Sequence, residues 1–119
     1  MTDKRIQLGR RGEATAAAYL ELCGMQIVAR NWRTPAGELD IVAREGRDVV
    51  AVEVKTRRSV RHGSPIEAVT PQKLARLRRL GSAWLAQNGG ACRRVRVDVV
   101  GIVVRPPARA LIDHRRGVH

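Results

Sequence analysis

The chain has 119 residues, the length of one ordinary domain, is 44% hydrophobic, and carries 23 Lys and Arg against 11 Asp and Glu, a formal net charge of +12. No apolar run approaches the roughly 18 residues of a membrane span, and the opening MTDKRIQLGRRGE has no apolar leader, so a cytoplasmic protein without a membrane partner is expected. Such a basic excess favours polyanions, because each neutralised phosphate releases condensed counterions, while 3% aromatics and no Phe argue against a base-stacking platform.

In chain order, helical spacing predicts a first helix over Lys4–Leu22, ended by Gly24. Met25–Asn31 reads as a short strand and Thr34-Pro35-Ala36-Gly37 as a turn. Glu38–Arg44 and Val49–Thr56 read as strands joined at Gly46-Arg47, a hairpin signal. Residues 57–69 form a basic loop. Thr70 and Pro71 supply an N-cap and a first helical residue for a second helix, which Asn88-Gly89-Gly90 stops. Residues 94–104 are a Val-rich strand ended by Pro106-Pro107, and the basic tail 106–119 comes next, with room for a short edge strand at 110–112. No repeat or linker divides residues 1–105. Helix, three strands, helix and strand predict an α/β fold, a central mixed sheet flanked by helices.

Acidic residues interrupt these apolar segments. Glu13 shares a helical face with Ala16, Ala17 and Leu20; taken alone it reads as a helix-rim carboxylate, paired with Arg10 or solvated. The hairpin says more. With Gly46-Arg47 as a two-residue turn, Glu45 lies opposite Asp48, Val42 opposite Ala51, Asp40 opposite Glu53 and Glu38 opposite Lys55. Opposed residues have Cβ atoms roughly 5 Å apart, so Asp40 and Glu53 would be adjacent like charges, with Lys55 on the same face. That pairing is unfavourable unless one carboxyl protonates or a cation lies between them. Mg²⁺ is typically held by one or two carboxylates plus substrate phosphate oxygens, and a nearby Lys can orient the attacking water. A salt-bridged, solvated sheet face is the competing reading; the apolar flanks Leu39, Ile41–Ala43 and Val49–Val54 favour a site.

Other residues are less informative. Arg57, Arg58, Arg61 and His62 come after Lys55 in a loop able to reach phosphates, and Lys73, Arg76 and Arg79 recur along the second helix, whose Leu74, Leu77, Gly81 and Trp84 read as core. Arg10 and Arg11 flank Glu13, and Arg33 lies near the turn. Trp32 and Trp84 read as packing residues. Cys23 and Cys92 fit no metal spacing and are expected as small buried hydrophobes; His114 and His119 are expected solvated in the tail.

Gly37-Glu38-Leu39-Asp40, then twelve residues, then Glu53-Val54-Lys55 resembles the PD-(D/E)xK nuclease signature, with Gly37-Glu38 where many members carry Pro-Asp. No Gln-plus-Tyr motif is clear on the second helix, although Gln72 and Lys73 stand at its start. Together with Gly9-Arg10-Arg11-Gly12-Glu13 and Asn31-Trp32-Arg33, the pattern over about residues 5–104 resembles the YraN-type family of short bacterial proteins, similar to Holliday-junction resolvases. The resemblance implies a restriction-endonuclease-like fold with an αβββαβ core. It implies an endonuclease that hydrolyses DNA, branched DNA among its candidate substrates, and a homodimer on that substrate. Asp40, Glu53 and Glu13 would then hold Mg²⁺ or Mn²⁺, with Lys55 as catalytic lysine. The basic residues Arg10, Arg11, Arg33, Arg57, Arg58, Arg61, Lys73 and Arg76 would contact DNA. A non-catalytic nucleic-acid-binding module on the same fold is the alternative.

Overall fold

The computed structural model describes residues 3–59, 63, 65–88, 90–105 and 109–119. The first helix, α1, spans Lys4–Leu22; Asp3 caps it by accepting the Arg5 N–H at 2.7 Å. Strands β1 (Gln26–Thr34), β2 (Gly37–Glu45) and β3 (Asp48–Arg57) come next. A 3-10 turn (Pro65–Ala68) leads into helix α2 (Pro71–Asn88), where the Thr70 hydroxyl accepts the Lys73 N–H at 3.1 Å as the sequence predicts. Strands β4 (Arg94–Arg105) and β5 (Arg109–Arg115) complete the fold. Residues Gly89, Pro106 and Pro107, read from sequence as stops, lie outside the described residues.

The five strands form one mixed sheet in the order β1-β2-β3-β4-β5, antiparallel except for the parallel β3–β4 pair. A parallel pair needs a long crossover, here supplied by the 3-10 turn and α2. The hairpin register agrees with the sequence reading from Glu45–Asp48 through Val42–Ala51 to Ile41–Val52. Gly46 opens the tight turn at φ +59°, a conformation open to glycine at little cost. β1 is longer than expected, because it continues past Asn31 and pairs Thr34 with Gly37.

Both faces of the sheet centre are covered, so β3 and β4 are Val-rich throughout rather than alternating. Ala16 and Leu20 of α1 pack on Ile41, Val50, Val52 and Ile102; Leu77 and Leu80 of α2 pack on Leu39, Val42, Ala51 and Val99. Trp32 and Trp84 pack against the α2 layer, as expected. Each helix comes close to the sheet at a glycine. A Cβ on Gly12 would lie 1.9 Å from Thr56 Oγ1, and one on Gly81 would lie 2.7 Å from Val95 Cγ1.

The C-terminal segment differs from its sequence reading. It forms a seven-residue strand, β5, rather than a three-residue one, and His114 is buried rather than solvated. His114 Nε2 lies 2.8 Å from Asp98 Oδ2, and its Nδ1 lies 3.0 Å from Tyr19 Oη. Asp98 is fully buried and also accepts two Arg96 hydrogen bonds, at 2.9 and 3.1 Å, and the Gly117 N–H at 3.0 Å. Burial pushes the Asp98 carboxyl up, but the hydrogen bonds from His114, Arg96 and Gly117 hold it below the usual carboxylate range. A fully buried carboxylate needs such partners, and they tie β5 to β4 and α1. Cys23 is exposed and Cys92 half-buried, so neither is the buried hydrophobe expected.

Candidate active site

The β2–β3 ladder ends at Ile41–Val52, while β3 continues to pair with β4 as far as Arg57–Val103. The expected pairs Asp40–Glu53 and Glu38–Lys55 lie just beyond that end and are not part of the ladder. There the Asp40 side chain takes over a backbone role, its Oδ2 accepting the Val54 N–H at 2.9 Å. The inside–outside alternation slips at the same point. Leu39 and Val42 both pack under α2, whereas Ile41 and Ala43 pack under α1. Across on β1, Asn31 lies between the pairs Arg30–Ile41 and Trp32–Leu39 with φ +53°, the one non-glycine residue with positive φ among those described. Short polar side chains such as Asn tolerate that conformation best.

The parting strands hold the carboxylates in apolar surroundings. Burial, reinforced by the neighbouring charge of Glu53 and less strongly by Glu13 and Glu38, pushes Asp40 up from 3.8 to about 7, against the lowering effect of the Val54 N–H. Glu53 is only 5% exposed. Its Oε1 is shared by two ammonium groups, Lys55 Nζ at 3.4 Å and Lys73 Nζ at 3.6 Å. Lys55 reaches it because residues two apart on a strand share a face. Lys73 reaches it from the first turn of α2. Sequence reasoning assigned Lys73 to the substrate surface; the structure places it on Glu53, a contact between distant segments with no local signal.

Glu13 stands half-exposed on α1 between two clefts. One, of about 410 Å³, is lined by Gly9, Lys55, Thr56, Arg57 and Arg58; the other, of about 580 Å³, by Gly9, Arg10, Asn31, Arg33 and Glu38. The Gly12–Thr56 contact fixes α1 against β3 beside this point. Glu13 does not pair with Arg10, and it makes no hydrogen bond or ion pair with any described residue. Sequence spacing gave no structural role to Asn31, Thr56 or Gly12, although Asn31 and Gly12 fall in the stretches that carry the family resemblance and Asn tolerates positive φ.

The predicted basic residues divide into groups. Arg10 and Arg33 border the larger cleft, Arg33 in an ion pair with Glu38 at 3.0 Å. Arg57 and Arg58 border the smaller one, and Arg11 shares a further opening with Arg58. Arg76 is exposed beside the β1–β2 turn, in a groove with Arg79, away from Glu13. Arg61 and His62 lie outside the described residues.

The donors suit a hard divalent cation, which takes carboxylate oxygens and retains several waters. The Oδ1 of Asp40 has no hydrogen-bond partner among the described residues while its Oδ2 holds the Val54 N–H, and Glu53 lies close enough to act on its charge. Among the described residues, however, no three Asp, Glu, His or Cys side chains group as a complete cage. Of the two other expected carboxylates, Glu53 acts on the charge of Asp40 more strongly than Glu13 does.

Residues 12–102 match the family model described as "Uncharacterised protein family UPF0102". The chain belongs to the UPF0102 (YraN) family. UPF0102 proteins similar to it include that of Beutenbergia cavernae, 51% identical over 93% of this chain and 94% of the relative. The one from Leifsonia xyli is 46% identical over 97% of this chain and 98% of the relative, and that from Mycolicibacterium vanbaalenii 45% identical over 98% and 97%. The UPF0102 match begins at Gly12, so it takes in Glu13, Asp40, Glu53, Lys55 and Lys73 together.

Proposed function

We propose that the protein is a restriction-endonuclease-like, metal-dependent endonuclease that hydrolyses phosphodiester bonds in DNA, branched DNA included, and works as a homodimer on that substrate. The observation that supports it best is the pair of crowded carboxylates: Asp40 raised to about 7 beside a nearly buried Glu53 held by two lysines. Strongly perturbed acids cluster at functional sites, and this one lies between Leu39 and Ile41 on the strand whose Glu38 lines a cleft.

Asp40 and Glu53 would hold Mg²⁺ or Mn²⁺, which when bound supplies Lewis acidity toward the phosphate and a water of lowered pKa. Lys55, fixed beside Glu53, orients the attacking water and contacts charge developing on the phosphate. Glu13, at the junction of the two clefts, would complete that carboxylate set from the helix side. Arg10, Arg57 and Arg58 contact backbone phosphates on either side of the scissile one.

The test is incubation of labelled linear, flapped and four-way DNA with Mg²⁺ or Mn²⁺, using wild type, Asp40→Asn, Glu53→Gln and Lys55→Ala. Wild type should cleave at least one substrate, and each variant should lose cleavage while still binding. Binding without cleavage by wild type would favour the non-catalytic module. Equal cleavage by all four proteins would place any activity elsewhere.

A further inference from the structure

Glu53 has more cationic partners than one carboxylate needs. Lys55 is held near it by the strand itself, two residues away on the same face. Lys73 is not so constrained: its backbone is capped by Thr70, and only its flexible side chain reaches Glu53, at 3.6 Å and with 34% of that side chain exposed. Along α2, Arg76 and Arg79 continue from it at helical spacing, both exposed, so it is the innermost member of a basic row.

In the metal-free protein one carboxylate, Glu53, is answered by two ammonium groups, Lys55 and Lys73. A divalent cation held at the same carboxylate adds two further positive charges, an excess that favours an incoming phosphodiester. A cation shared by Asp40 and Glu53 also competes with Lys73 for Glu53 Oε1, since both are drawn by the same oxygen.

We propose that Lys73 is a cation-gated phosphate contact: it neutralises Glu53 in the metal-free protein and leaves it for a substrate phosphate once a divalent cation is held there. This rests on the nuclease reading and names a substrate contact within it. Metal binding thereby adds one phosphate contact to the DNA interface, and DNA binding favours the metal-bound form in return.

Two measurements on the full chain test it. In calorimetric titration with Mn²⁺ and no DNA, Lys73→Gln should bind the ion about three-fold or more tightly than wild type, because a competing ammonium is gone. Unchanged or weaker Mn²⁺ binding would overturn the proposal. In salt titrations with a labelled DNA duplex, wild type and Lys73→Gln should show the same salt slope in EDTA. In Ca²⁺, wild type should be steeper by about 0.9, the contribution of one phosphate. Slopes that differ already in EDTA, or coincide in Ca²⁺, overturn it as well. A wild type that binds neither Mn²⁺ nor DNA refutes the nuclease reading itself, whereas one that binds both with Lys73→Gln indistinguishable refutes only the role of Lys73.

Discussion

Replacing Asp40 with Asn should stabilise the metal-free protein by an amount that grows with pH. The carboxyl moves from 3.8 to about 7 because burial and the charge of Glu53 oppose ionisation. Its value in the fold lies above its unfolded value, so the native chain retains a proton that the unfolded chain releases. The resulting stability is complete below about pH 4 and is lost as pH rises toward 7. At about 1.4 kcal/mol per pH unit, the separation amounts to about 4 kcal/mol in total, of which about 2.5 kcal/mol falls between pH 5 and pH 8. Asn keeps the shape and can still accept the Val54 N–H, but it never ionises. Urea unfolding in EDTA at pH 5, 6, 7 and 8 measures the difference directly. The advantage of Asp40→Asn should widen by about 2–3 kcal/mol across that range and level off above pH 8. Adding Mn²⁺ at pH 8 should then stabilise wild type and leave Asp40→Asn nearly unchanged, since the ion offsets the repulsion the variant lacks. An advantage independent of pH, or one that shrinks as pH rises, would show that Asp40 is not held among opposing charges.

The remaining predictions concern packing, the C-terminal anchor and substrate. Gly12→Ala drives a methyl into Thr56 at 1.9 Å and should cost about 1–3 kcal/mol despite its better helix propensity; adding Thr56→Ala should recover part of the loss, and a double-mutant cycle in urea reads the coupling. Asp98→Asn weakens a buried carboxylate with four hydrogen bonds and should lower stability by about 3 kcal/mol, seen as a lower urea midpoint. Binding to duplex DNA should weaken with salt at a log–log slope of about −4 to −5, as expected when roughly five phosphates are neutralised; a flat salt series would remove phosphate contact as the basis of binding.

Periodicity and turn chemistry made most of the elements legible. The alanine stripe of α1, the Gly46-Arg47 turn, the Thr70 cap and the Val-rich β4 are local signals, because helix and hairpin geometry depend on residues a few positions apart. The hairpin count was right as far as Ile41–Val52, since register is set by the turn and the period of two, and it placed Asp40 near enough to Glu53 for their charges to interact, although not as a ladder pair.

The features beyond its reach depend on segments distant in the chain. Lys73 meets Glu53 only because the crossover returns α2 over the sheet face that carries residues 49, 51 and 53. His114 is buried only because β5 pairs with β4 beside Asp98, and no pattern within a short basic tail encodes that buried acid. Gly12 matters through Thr56, 44 positions away. The slip of alternation at Asn31 and Asp40 is likewise invisible to a strict period of two, which assumes an unbroken ladder. Local spacing thus determined which elements form and which acids share a hairpin. The tertiary structure decided how far those acids are buried, which cations answer them and where α1 closes the clefts, because desolvation and long-range charge depend on the groups packed above a residue rather than on its neighbours along the chain.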